Sequence, residues 1–164
     1  MANFRKAICL SILTLLAVSF TSAQILTRDE LKKAAPSSYF YAGQSAPVQM
    51  RNSVGVKNSG GKLVLAGLVD TSGYSTAIAE KYQGFLITEA KISVGGSSLE
   101  VGAYGFGFSK DGKFNVMNIA GGDVLSVDTK SDDKIVHPVP MKLEKDSSEY
   151  RLYAGKKYVV LKVD

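Results

Sequence analysis

The stretch Ile92-Ser93-Val94-Gly95-Gly96-Ser97-Ser98-Leu99-Glu100-Val101-Gly102-Ala103-Tyr104-Gly105-Phe106-Gly107-Phe108 decides the fold class. Gly95-Gly96 reads as a two-residue hairpin turn. Around it Val94 faces Ser97, Ile92 faces Leu99 and Ala90 faces Val101 on one side. On the other side Lys91 meets Glu100, an opposite-charge pair, and Ser93 meets Ser98. A slip of one residue would exchange the two faces, so the pattern specifies its own register. Beyond the hairpin the phase reverses. Leu99 and Val101 claim the inner face on odd numbers, whereas Tyr104, Phe106 and Phe108 claim it on even ones. A bulge or corner at Gly102 reconciles them, because glycine tolerates the backbone geometry of both.

Working outward, the same period-two pattern recurs. A loop at Asn58–Gly61 sets Val56 against Leu63, Val54 against Leu65 and Met50 against Val69. A turn at Asp111-Gly112 sets Tyr104 against Ile119, Phe106 against Met117 and Phe108 against Asn115. In that reading Phe114 and Val116 cover the side-chain-free face formed by Gly105 and Gly107. A loop at Lys145–Ser148 sets Leu143 against Tyr150, and leaves Glu144 facing Glu149 and Lys142 facing Arg151. A turn at Gly155-Lys156 sets Leu152 against Val159 and Tyr150 against Leu161. One more strand is expected over 123–128, followed by a charged loop from Asp128 to Lys134. Helix signals are few. Thr27-Arg28-Asp29-Glu30 matches a capping box, with Leu26 and Leu31 at the staple positions and Pro36 as the stop. Ser75 is placed to cap a second short helix ending at Gly84. The expected fold is all-β: an antiparallel meander of about nine strands forming a small barrel or sandwich, with a short N-terminal helix.

The run Leu99–Phe108 resembles an L-x-x-G-x-Y pattern found in prealbumin-like and carboxypeptidase-regulatory-like β-sandwich modules of secreted bacterial proteins. The chain as a whole is similar to small uncharacterised exported β-proteins of Gram-negative bacteria. The resemblance implies a compartment and a fold class and carries no functional residues.

Residues 1–23 read as a secretory signal peptide. Arg5 and Lys6 form the positive region, Ala7–Phe20 the apolar run, and Thr21-Ser22-Ala23 the small-residue cleavage site. The run is shorter than the ~18 to 20 apolar residues of a spanning helix. Residues 24–164 then form a single β-rich domain in the periplasm or outside the cell. Cleavage removes Cys9, the only cysteine of the 164 residues, and with it thiol chemistry and disulfides. Losing Arg5 and Lys6 from 20 basic residues leaves 18 against 15 acids. These are dispersed rather than clustered, which is not a nucleic-acid footprint. The absence of tryptophan counts against lipocalin-type carriers. The strands are short for an outer-membrane barrel, which needs about 9 to 11 residues per crossing.

Few residues can carry chemistry. His137, the single histidine, lies in Val136-His137-Pro138-Val139-Pro140, and no G-x-S-x-G elbow is present to make it a triad base. Asp128, Asp132 and Asp133 are interleaved with Lys130 and Lys134 and lack calcium-loop spacing. Gly102, Gly105 and Gly107 alternate with aromatics inside a strand, so they are no phosphate loop. No catalytic, cofactor or metal residues are expected. Tyr39-Phe40-Tyr41 cannot all point inward from an extended segment. Arg151 and Tyr153 share a strand face with Tyr158 nearby. Tyr39, Tyr41, Arg151 and Tyr153 are therefore the candidate binding surface. The expected function is an exported, non-catalytic binding or envelope-accessory protein whose partner is a small molecule or an envelope protein. A periplasmic hydrolase built on scattered acids or His137, and an assembly protein pairing through a strand edge, are the alternatives.

Overall fold

The structure, a computed structural model, describes residues 23–163; the expected leader up to Ser22 lies outside the described residues. The elements begin with β1 (Gln24–Ile25), α1 (Arg28–Ala34), β2 (Ser38–Tyr41), β3 (Gln44–Lys57), β4 (Leu63–Val69), α2 (Thr76–Ala79), β5 (Gly84–Thr88), β6 (Ile92–Val94) and β7 (Ser97–Leu99). They continue with β8 (Gly102–Phe108), β9 (Lys113–Asn118), β10 (Asp123–Asp128), β11 (Lys130–Ser131), β12 (Lys142–Asp146), β13 (Glu149–Ala154) and β14 (Lys157–Val163). The first sheet runs β1-β3-β4-β5-β8-β9-β10, with β2 added on β3; the second runs β12-β13-β14-β6-β7, with β11 added on β14. The fold is all-β and antiparallel. It is sandwich-like, with no closed barrel. The fourteen strands among the described residues exceed the nine expected because several are pieces of only two or three residues.

The even-numbered side chains of β8, Phe106 and Phe108, meet Leu86, Phe114 and Val116 from the first sheet and Val94, Leu99, Leu152 and Leu161 from the second. This is the sandwich core. A second core lies on the opposite face of the first sheet, where Leu31, Tyr39, Tyr41, Tyr74 and Tyr82 cover Leu65, Phe85 and Met117. The first sheet is therefore buried on both sides. That explains why Leu63–Val69 and Phe85–Ile87 read as unbroken apolar runs rather than alternating ones.

The expected hairpin at Gly95-Gly96 is present as read: Val94 pairs with Ser97, Ile92 with Leu99, and Lys91 Nζ lies 2.6 Å from Glu100 Oε1. The corner at Gly102 is present too, and there the chain passes from the second sheet to the first. The Tyr104 hydroxyl donates to the Glu100 carbonyl at 3.0 Å, fastening the bend as a tyrosine corner does. Val101 is not an inward residue; at the bend itself it is 60% exposed.

Two other registers are displaced by one residue from the reading. Val56 pairs with Val64, and Phe106 pairs with Val116. Both loops turn out to have three residues, 59–61 and 110–112, each ending on a glycine with positive φ: Gly61 at +80° and Gly112 at +84°. A left-handed third residue is what a three-residue hairpin demands, and it moves the pairing by one relative to a two- or four-residue loop. Near the C-terminus the turn is tighter than read. Asp146 pairs with Glu149 across Ser147-Ser148, with Ser147 at φ +57°. Glu144 consequently faces Arg151, and Lys142 faces Tyr153, so the expected Glu144–Glu149 and Lys142–Arg151 oppositions do not form; the one like-charge pair of this hairpin is Asp146 with Glu149, at the turn. The Gly155-Lys156 turn keeps the expected pairs Leu152–Val159 and Tyr150–Leu161.

α1 carries the complete capping box between Thr27 and Glu30. α2 is a single turn; Ser75 is its N-cap residue without a side-chain bond, and Gly84 begins β5 rather than ending the helix. Between them, the Gln83 amide takes the place of a strand backbone. Its Nε2 donates to the Phe108 carbonyl at 3.0 Å and its Oε1 accepts from the Phe108 N–H at 2.9 Å.

The glycine face of β8 is not covered by Phe114 and Val116, which point into the sandwich with Phe106. It is the seat of the second core. A Cβ on Gly105 would lie 2.6 Å from the Tyr41 ring, and one on Gly107 would lie 1.9 Å from the Lys81 carbonyl oxygen. The second obstacle is backbone and cannot rotate away. Gly107→Ala should therefore destabilise the fold by about 2 kcal/mol or more, toward the upper end of overpacking costs. Gly60→Ala, whose Cβ meets only the Asn58 side chain at 3.4 Å, should change stability by less than about 1 kcal/mol. Urea unfolding of both variants checks the difference, and equal midpoints would contradict it.

Candidate functional site

The four residues expected to form a binding surface lie on two separate layers. Tyr39 and Tyr41 are buried in the second core. Alternation along β2 turns both rings onto the first sheet and turns Phe40, 52% exposed, to solvent. The Tyr39 hydroxyl donates to the Tyr104 carbonyl at 3.0 Å, and Tyr41 stacks on Tyr82 with ring centroids 3.8 Å apart. As a surface, this pair of tyrosines is corrected to an interior one.

Arg151 and Tyr153 do lie together on the outer face of the second sheet. Tyr153 is opposite Tyr158, with centroids 5.0 Å apart. Lys142, in the adjacent strand, places Nζ 4.4 Å from the Tyr153 centroid, and the Arg151 guanidinium carbon lies 5.1 Å from that of Tyr158. Carboxylates flank this cation–aromatic row: Lys142 bonds Glu144 at 2.7 Å, and Arg151 bonds Asp146. The Tyr153 and Asp146 contacts hold Arg151 in its charged form. Tyr153 itself is fully buried, and its hydroxyl donates to Asp132 at 3.2 Å. The partly accessible members of the row are therefore Lys142, Arg151 and Tyr158.

Tyr158 also borders a cleft of about 550 Å³. There β10 of the first sheet passes β14 and the Gly95-Gly96 turn of the second. Its charged lining is Lys113, Asp128, Lys130 and Glu149. Lys113 and Asp128 bond at 2.6 Å, which raises the lysine's affinity for its proton. Gly95, at φ +56°, is required for the close approach, since a Cβ there would lie 2.8 Å from Val127. Both signs of charge, an aromatic edge and a glycine backbone line one space. Cationic and anionic groups side by side suit a polar ligand with both donors and acceptors.

The remaining candidates do not assemble. The His137 ring is exposed and makes no hydrogen bond to a described residue. Of the three acids in the charged loop, Asp128 is bonded to Lys113 and Asp132 accepts from Tyr153, and Asp133 only meets the Ser131 hydroxyl at 3.4 Å. Among the described residues no group of three or more His, Cys, Asp or Glu is placed to hold a metal ion. No protein-family model, curated protein or solved structure matches this chain.

The buried tyrosines carry a pH dependence. Burial pushes the Tyr39 hydroxyl from 10.0 up to about 12, and raises Tyr82 further, with neighbouring Tyr74 adding to it. The folded state favours the neutral phenol, so this contribution to stability is complete below pH 10 and is lost as pH rises toward 12. The urea midpoint should fall across that interval, with the buried tyrosines ionising only as the chain unfolds. Phenolate absorbance showing all eight tyrosines titrating near pH 10 in a folded chain would contradict this.

Proposed function

We propose that the chain is an exported, non-catalytic binding module that takes a small polar molecule in the cleft between β10 and the outer face of the second sheet. The carrying observation is the convergence of Lys113, Asp128, Lys130, Glu149 and Tyr158 on one space of about 550 Å³. That volume lies within the roughly 300 to 1,000 Å³ of small-molecule sites. A zwitterionic or polyhydroxylated ligand matches the lining, with Tyr158 at its border. Export is supported by Arg5-Lys6, the Ala7–Phe20 run and Thr21-Ser22-Ala23.

The assembly alternative is disfavoured by how the sheet edges end. β10 has a register shift at Val124 and an aspartate at each end, β7 has three residues, and β12 reads Lys-Leu-Glu-Lys-Asp. Bulges, short strands and charges are the devices that keep edges from pairing.

A thermal-shift screen of amino acids and small sugars tests the reading. A ligand at 100 times its Kd adds about 2.7 kcal/mol, which is several degrees for a domain of this size. The shift should disappear in Tyr158→Ala and in Lys130→Glu. Hits that persist undiminished in both variants would place binding elsewhere. Mass spectrometry of the exported product should show a chain beginning at Gln24.

A further inference from the structure

A second, smaller pocket of about 230 Å³ lies where α1, β3 and β12 meet. It brings together Arg28, Arg51 and Lys142, from three distant parts of the chain, and no acidic residue lines it. The pairing of β3 with β4 explains how. Val48 pairs with Val69 but Ser53 pairs with Gly67, so residues 49–52 loop out of the ladder. A bulge of this kind re-aims side chains, and here it carries Arg51 outward. The Arg28 guanidinium fixes the looped segment, donating to the Met50 carbonyl at 3.0 Å and the Arg51 carbonyl at 3.1 Å. Those acceptors are neutral, so neither arginine is neutralised. The acids of α1 are engaged elsewhere: Glu30 in the capping box and Asp29 facing Lys32 at 3.8 Å. Arg51 forms no side-chain bond to a described residue. Lys142 alone has a carboxylate partner, Glu144. Apart from Ser53, the rest of the lining is apolar and includes Leu26, Leu31 and Met141.

We propose that this pocket binds a small organic anion, a carboxylate or phosphate monoester carrying a short apolar group. Arg28 and Arg51 hold the anion, and Leu26, Leu31 and Met141 receive the apolar part. Guanidinium groups suit this task because their planar forks bond two oxygens at once. The volume is below the roughly 300 Å³ of a drug-sized site, so it accepts a free small molecule or the head of a larger one. The site is separate from the cleft at Tyr158 and does not depend on it.

The test is an amide NMR titration with butyl phosphate, with sodium chloride at matched ionic strength as the control. Saturable shifts at Arg28, Arg51, Lys142 and Leu31 are expected. Arg51→Ala should weaken binding about tenfold, the loss of one charge-assisted bond. This variant retains the backbone carbonyl that Arg28 uses, so the bulge stays anchored; Arg28→Lys serves as a second variant and should also weaken binding. Vesicles of phosphatidylglycerol and of phosphatidylcholine separate the sources. Arg51-dependent binding to the former only marks a lipid headgroup, and binding of butyl phosphate without either vesicle marks a free anion. Shifts no greater than those of sodium chloride, or an unchanged affinity in Arg51→Ala, would overturn the proposal.

Discussion

Strand β8 must be buried on both faces while carrying large side chains on only one. Phe106 and Phe108 fill the sandwich, and Gly105 and Gly107 leave the opposite face without side chains in the middle of the sheet. Bare sheet backbone is a groove, and interiors tolerate few voids, so something else must lie in it. Tyr41 and Tyr82 occupy the space over Gly105, and the Lys81 carbonyl lies over Gly107. The β2–β3 hairpin and the α2 turn are positioned by that need. Tyr74 links them, its hydroxyl within 3.1 Å of the Tyr41 carbonyl and 3.0 Å of the Gln44 carbonyl. At Tyr39 and Tyr74 the ring packs while the hydroxyl satisfies backbone carbonyls, whereas the Tyr41 hydroxyl donates to the Met117 sulfur at 3.3 Å and the buried Tyr82 hydroxyl has no partner among the described residues.

The same arrangement explains what was legible in the sequence. The hairpin at Gly95-Gly96 and the corner at Gly102 follow from local alternation, where charge, polarity and glycine placement agree. The two registers displaced by one residue failed on loop length alone. Ser59-Gly60-Gly61 and Lys110-Asp111-Gly112 look equally compatible with shorter or longer loops, until the left-handed conformation of the last glycine is known. The cover of the glycine face was not legible at all. It brings residue 41 onto residue 105, and period-two reading has no access to contacts at that separation. Phe114 and Val116 were the natural local choice, but the one-residue register shift turns them to the other side.

The candidate sites divide in the same way. Arg151, Tyr153 and Tyr158 belong to one hairpin, so their shared face was readable, although the burial of Tyr153 and its bond to Asp132 were not. Tyr39 and Tyr41, expected on a binding surface, share a face of β2 that points into the glycine groove. The cleft beside Tyr158 and the pocket at Arg28 and Arg51 arise only where the two sheets meet. The second also needs an irregular stretch of β3, where Gln49 and Asn52 bond each other at 2.8 Å and leave the ladder. Nothing in the alternation of that strand announces it.

The nuclear Overhauser effects of the Gly105 α-protons discriminate most directly between the two ways of covering β8. Close contact with the Tyr41 ring protons is expected, together with contacts from the Tyr82 ring. Contacts to the Phe114 ring and the Val116 methyl groups instead, with Tyr41 showing none, would contradict the two-core architecture and the position of every element laid over that face.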